Sequence, residues 1–446
     1  MARRLINAAT AAAVAALLGG CGMFEEGGWL GPEEAPPLPG ERISVLELQR
    51  GLEPDPRVAG IAVSLPPPAA APDWSQAGGR PNHVGGHPAF DWPAERVWST
   101  GIGEGSGGIP RLLSSPIVAG GRVFAFDAAG SVSAIDLASG RRLWRVRMAS
   151  PEEDSVVLGG GVAYANNLLF VTTGFGEVLA VDPENGGMVW RTEVSAPVRA
   201  APTVEGGRVF VVGIDNQLTA LDARTGEVLW THAGIIEDAG LLGGASPAAE
   251  AGVVIAPYSS GEIFALRAET GRQLWSDSLA AIRRVGALAS LADIRGLPVI
   301  DRDIVVATSH SGRTAGIDLR TGARIWEQDI GGIHTPWVAG DFVFMLTNDA
   351  ELVALTRNGG GIRWVTPLPR WRNPENRTGP ISWAGPVLAG GQLVVVGSTG
   401  EALLIDPATG NSSGSFDLRG ASSLAPVVAD GMLFVLSDDG TLTAYR

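Results

Sequence analysis

The stretch Gly130–Trp144, GSVSAIDLASGRRLW, decides the fold because it recurs. Ser131 to Ile135 alternates as a strand, and Asp136 can bond its own backbone across the turn that follows. Gly140 supplies the left-handed position of that turn, and a second strand runs on to Trp144. Just upstream, Arg122–Phe126 (RVFAF) is a β-rich run closed by the turn Asp127–Gly130. The frame returns at Gly176–Trp190 (GEVLAVDPENGGMVW), Asn216–Trp230 (NQLTALDARTGEVLW), Gly261–Trp275 (GEIFALRAETGRQLW) and Gly312–Trp326 (GRTAGIDLRTGARIW). Looser copies span Ala350–Trp364 and Gly400–Phe416, and an eighth, Gly440–Arg446, stops with the chain.

Successive copies start 38 to 51 residues apart, the span of one four-stranded propeller blade. The eighth copy has room for only three strands. Far upstream, Glu95–Thr100 (ERVWST) looks like an unattached fourth strand, with Trp98 lying 46 residues before Trp144. The expectation is an all-β, eight-bladed β-propeller of four-stranded blades over residues 86–446. Its ring would be closed by the N-terminal strand, with Trp98 in the sheet of Thr441–Tyr445 and no open edge between first and last blades. Trp98, Trp144, Trp190, Trp230, Trp275, Trp326 and Trp364 are read as structural. The small residues before the Asp turns (Ala134, Ala180, Ala220, Ala265, Gly316) would make room for a flat indole from a neighbouring sheet.

The N-terminus reads as an address. Arg3 and Arg4 form a positive region, Leu5 to Leu18 is apolar but too short to span a bilayer, and Leu18-Gly19-Gly20-Cys21 follows. Cys21 is the one cysteine of the chain. The run resembles a bacterial lipobox, which implies a signal peptide over residues 1–20 and acylation of Cys21. Gly22 stands where some lipoproteins carry an inner-membrane retention Asp, so the resemblance favours the periplasmic face of the outer membrane. Residues 21–85, rich in Pro and Glu, read as an extended tether.

Composition excludes several chemistries. None of the 33 basic residues is lysine, so there is no phosphate loop of the G-x-x-x-x-G-K type and no Schiff-base lysine. A formal charge of −14 argues against nucleic acid. Gly103, Gly105 and Gly108 match a dinucleotide pattern, but Pro110 follows instead of a helix. His83 and His87 are separated by Gly85 and Gly86 and flanked by Pro88, which denies them a shared helical face. No catalytic residue, metal site or cofactor is expected. Three long loops, residues 231–251, 276–302 and 365–384, each join an outer strand to the next inner strand, so all would emerge on one face. They carry Ile235-Ile236 and Leu241-Leu242, Arg283-Arg284 and Asp293-Ile-Arg295, and Arg370-Trp371-Arg372. Apolar, Arg and Trp residues gathered on one face are what interface cores use, so a partner face is expected there.

The repeat G-x-L-x-A-L-D-x-x-T-G-x-x-x-W resembles the quinoprotein propeller repeat. With the lipobox, the length, and Trp98-Ser99-Thr100 followed by a glycine-rich stretch, the chain resembles the BamB family, propeller lipoproteins of the outer-membrane β-barrel assembly machinery. The resemblance implies a scaffold without enzymatic activity that binds the POTRA domains of a BamA-like barrel protein and assists unfolded outer-membrane protein clients. In that family the contact uses a Leu-x-Leu-Arg run before Ser-Ala-Pro and an Asp-x-Asp in the next loop. Aligned on Ala245-Ser246-Pro247, these fall on Leu241, Leu242, Asp293 and Arg295, with a changed charge pattern. Arg370, Trp371 and Arg372 are read from the loop itself as an additional contact. Asp73-Trp74-Ser75 and Asn82-His83 also resemble the start of quinoprotein dehydrogenases. The alternatives are therefore a dehydrogenase using pyrroloquinoline quinone and calcium, or a ligand-binding propeller.

Overall fold

A computed structural model describes residues 51–107, 111–148, 158–280 and 291–446. The signal segment, Cys21, the first part of the tether, Arg283 and Arg284 lie outside those residues. Leu52–Arg446 forms one compact unit.

The described chain folds into eight antiparallel four-stranded sheets and one two-stranded hairpin. Within a blade, successive strands pair in chain order from the axis outward. In the third blade, for example, Thr203–Glu205 pairs with Arg208–Val212, which pairs with Gln217–Asp222, which pairs with Val228–Ala233. Burial explains why the middle strands read as continuous apolar runs. Phe342–Leu346 (FVFML) is buried throughout, because neighbouring blades cover both faces of its sheet. Outer strands such as Val228–Ala233 are mostly half-buried or exposed.

The ring closes as the sequence predicts. Arg96–Gly101 adds to Thr441–Tyr445 as the outer strand of the eighth blade, with Trp98 opposite Ala444 and the hydroxyls of Ser99 and Thr443 2.9 Å apart.

The tryptophans pack differently from the expectation. The small residue before each Asp turn faces the Trp of its own blade: Ala134 pairs with Trp144, Ala220 with Trp230 and Gly316 with Trp326. A register shift directly after each of these pairs marks a bulge that re-aims the side chain. The indole then reaches across to the next blade and lies on the turn glycine there. Trp144 donates from Nε1 to the Pro183 carbonyl (3.0 Å), and a Cβ on Gly186 would sit 3.0 Å from its ring. Trp190, Trp230 and Trp364 repeat this toward Ala223 (3.1 Å), Ala268 (3.1 Å) and Pro407 (3.0 Å). Trp98 does so toward Leu137 (3.0 Å), linking the last blade to the first. The repeat therefore encodes both halves of each blade-to-blade contact, the ring and the glycine it covers.

The tether also differs from the expectation. Pro, Gly and polar residues suggest a free linker as far as residue 85, yet the chain from Leu52 onward belongs to the same compact unit as the blades. Residues 71–88 make one circuit around the axis, hydrogen-bonding to each blade in ring order. Asp430 N–H donates to the Ala71 carbonyl (2.7 Å) in the eighth blade. Trp74 exchanges two backbone bonds with Val118 in the first, and Tyr164 N–H reaches Ser75 in the second. Gln76 grips Val204 in the third through both ends of its side-chain amide, each at 2.8 Å. Ala249 donates to Pro81, Ile300 to Asn82, and the Trp337 indole to Gly86 (2.9 Å). In the seventh blade Gly390 N–H meets Pro88 (3.0 Å) and Gly391 N–H meets His87 Nε2 (2.9 Å). The physical reason is the inner edge of the ring. Inner strands turn unpaired backbone groups toward the axis, and the strap satisfies those of Val118, Tyr164, Val204, Ala249 and Ile300, while in the sixth to eighth blades it meets the Trp337 indole and the turns at Gly390 and Asp430.

Candidate functional site

Loops from outer to inner strands, together with the turns between each blade's second and third strands, emerge at one end of the ring. At that end the third and fourth blades display Ile235 and Ile236, 59% and 72% exposed, with Leu242 (39%) and Ile214 (42%). Isolated exposed apolar residues need no explanation, but four side chains gathered on neighbouring loops at one end do. Glu237 and Asp238 border a recess of about 210 Å³ there, shared with Arg199, Asn216 and Leu241.

The residues expected to make the contact divide into two kinds. Leu242 is exposed and Leu241 half-buried. Asp293 is buried at 6% exposure, and its Oδ2 accepts the Leu241 backbone N–H at 2.7 Å. Burial raises its carboxyl pKa, opposed by that hydrogen bond and by the positive charge of Arg295. Arg295 donates to the Leu242 carbonyl (2.7 Å), and burial lowers its pKa, with Asp293 opposing. Both thus hold the Leu241–Leu242 loop from behind instead of presenting themselves on its surface. Sequence reasoning overlooked Ile214, which sits on a short turn brought alongside the long loop by the fold.

Arg370, Trp371 and Arg372 stand apart. The loop forms its own hairpin, Trp371–Asn373 paired with Thr378–Pro380. Both arginines are exposed and Trp371 is half-buried. Arg370 pairs with Asp349 at 3.2 Å, both ends open to solvent, and Arg372 donates to the Ser398 carbonyl at 3.0 Å. Exposed pairs of this kind hold little energy, so these guanidiniums can exchange partners.

Between these loops the axis opens into a cavity of about 170 Å³, with Trp74, His83 and Trp337 among its lining residues. The strap contributes Trp74 and His83, whose Nδ1 bonds the Pro298 carbonyl at 2.7 Å. Burial pushes the His83 pKa down to about 4. His334 is also pushed down, to about 3, first by burial and then by the charge of Arg295. Among the described residues, none that lines this cavity is Asp or Glu. A calcium ion held by the protein takes charged and neutral oxygen ligands, so the lining does not fit the calcium of the alternative reading. Among the described residues no three His, Cys, Asp or Glu side chains gather where a metal could be held.

Comparison with known proteins accords with this geometry. The family profile described as "Outer membrane protein assembly factor BamB" matches residues 94–153, 128–366 and 369–446. Relatives of that name include one from Xanthomonas campestris, 30% identical over 357 residues that cover 79% of this chain and 86% of the relative. Another, from Yersinia pestis, is 27% identical over 357 residues covering 78% and 88%. Among solved structures, BamB from Moraxella catarrhalis superposes with a TM-score of 0.67 at 21% identity, covering 79% of this chain and all of that one. The quinohemoprotein alcohol dehydrogenase of Comamonas testosteroni gives 0.63 at 15% identity over 84% and 81%, a likeness of fold alone. The chain belongs to the family of outer-membrane protein assembly factors described as BamB.

Proposed function

We propose that this protein is a non-catalytic scaffold lipoprotein of the outer-membrane β-barrel assembly machinery. It would be anchored through Cys21 at the periplasmic face and bind the POTRA domains of a BamA-like barrel protein to aid delivery and insertion of unfolded clients. The observation that carries the reading is the apolar group Ile214, Ile235, Ile236 and Leu242 on the loop face, with the Leu241–Leu242 stretch of the long loop pinned from beneath by Asp293 and Arg295. A fixed loop loses little entropy on binding, which favours a stable contact. The Arg370–Arg372 hairpin is a second contact on the same end, suited to an acidic partner surface.

Substituting Ile235 and Ile236 together by Asp should abolish co-purification of the barrel protein while leaving thermal unfolding unchanged, since both side chains face solvent. Unchanged co-purification would contradict the assigned contact. The dehydrogenase reading is tested by adding pyrroloquinoline quinone and calcium and following dye reduction with a panel of alcohols. No turnover is expected, and turnover would overturn the scaffold reading.

A further inference from the structure

The axial cavity has the chemistry of a binding site that scaffolding does not use. In a chain of formal charge −14, Arg295 is the only charged side chain at neutral pH among the described residues that line it. Its guanidinium donates to two main-chain carbonyls, Leu242 at 2.7 Å and Ile333 at 3.5 Å, which orient it, while the Asp293 carboxyl acts on its charge from behind the loop, outside the cavity lining. His83, 3% exposed, uses Nδ1 on the Pro298 carbonyl and leaves Nε2 without a hydrogen-bond partner. Apart from His334, whose ring burial keeps neutral, the rest of the lining is apolar or carries hydroxyls: the indoles of Trp74 and Trp337, stacked at 5.9 Å and 15°, with Leu297, Pro386 and the hydroxyl of Ser114. An apolar recess with one oriented cation and few other polar groups is the usual make-up of a small-molecule site.

We propose that this cavity binds a small carboxylate with an apolar or aromatic body, the carboxylate on Arg295 and the body against the Trp74 and Trp337 indoles. Arg295 also holds the Leu241–Leu242 loop through the Leu242 carbonyl, so an occupant would sit directly behind the loop face. Desolvation in the recess strengthens the charge-assisted contact, and the indoles hold an apolar body that inorganic phosphate lacks.

Isothermal titration of the purified full-length chain with benzoate, benzamide and inorganic phosphate tests this. Benzoate should bind with a stoichiometry of one, with benzamide and phosphate each about tenfold weaker or more. Arg295→Gln should weaken benzoate by about tenfold and leave benzamide unchanged. Because that variant also loosens the loop, Ser114→Phe provides a second arm. It fills the recess, keeps Arg295, and should eliminate benzoate binding with thermal unfolding unchanged. Absence of saturable benzoate binding, equal affinity for phosphate, or retention of benzoate binding in Ser114→Phe would each overturn the proposal.

Discussion

A single indole on a single glycine is the unit from which this ring is assembled. Trp364 is 4% exposed, donates to the Pro407 carbonyl of the next blade and covers Gly410, where a Cβ would come within 2.7 Å of the ring. Trp364→Ala should cost about 3–5 kcal/mol in equilibrium denaturation, the range for buried aromatic truncation. Gly410→Ala meets both the clash and a φ of +74°, so it should cost more than a surface glycine substitution, on the order of 2 kcal/mol. His83 gives a pH dependence. Its unfolded pKa is near 6.5 and its folded pKa about 4, so the folded state is the one that resists protonation. The associated stability is complete above about pH 6.5 and is lost as pH falls through 4, reaching ~3 kcal/mol in all and about 2 kcal/mol by pH 5. Urea midpoints at pH 7.5 and 5 should show this loss, and His83→Gln should reduce it.

At the scale of elements, the strap is where sequence and structure part. Strands and turns were legible because they repeat: Ser131–Ile135, the Asp136 turn and Gly140 recur with constant spacing, and local periodicity is what a sequence displays. The missing outer strand was legible for the same reason, since Trp98 stands one repeat before Trp144. Residues 71–88 make one or two hydrogen bonds to each of eight blades, all between segments remote in the chain, so no periodicity marks them. Their Pro and Gly content, read as linker, instead lets the backbone follow a tight circuit. Trp74 and Gln76, a large aromatic and an amide inside a proline-rich stretch, were the available hint. Gln76→Ala leaves both backbone groups of Val204 unpaired toward the axis and should destabilise the fold by about 2–3 kcal/mol. In hydrogen exchange the amides of Val118, Ala249 and Ile300, which donate to the strap, should be protected. Fast exchange at these positions would show that the strap does not stay docked.

For the whole molecule, chain order alone placed the long loops at one end, because every connection from an outer to an inner strand crosses the same rim. What each side chain does there was not legible. Asp293 and Arg295 lie in a loop, as surface contacts would, yet they are turned inward, and only the close approach of two loops distant in sequence makes them supports. Asp293→Ala should therefore weaken partner binding by loosening the Leu241–Leu242 loop, and faster exchange of the Leu241 amide would accompany it. In the proposed function this end of the ring, and not the other, meets the barrel protein. A photo-reactive residue at position 236, on the loop face, should cross-link to the barrel protein in cells. The same residue at position 167, an exposed turn at the opposite end, should not. Cross-links from position 167 with none from position 236 would contradict this placement of the contact.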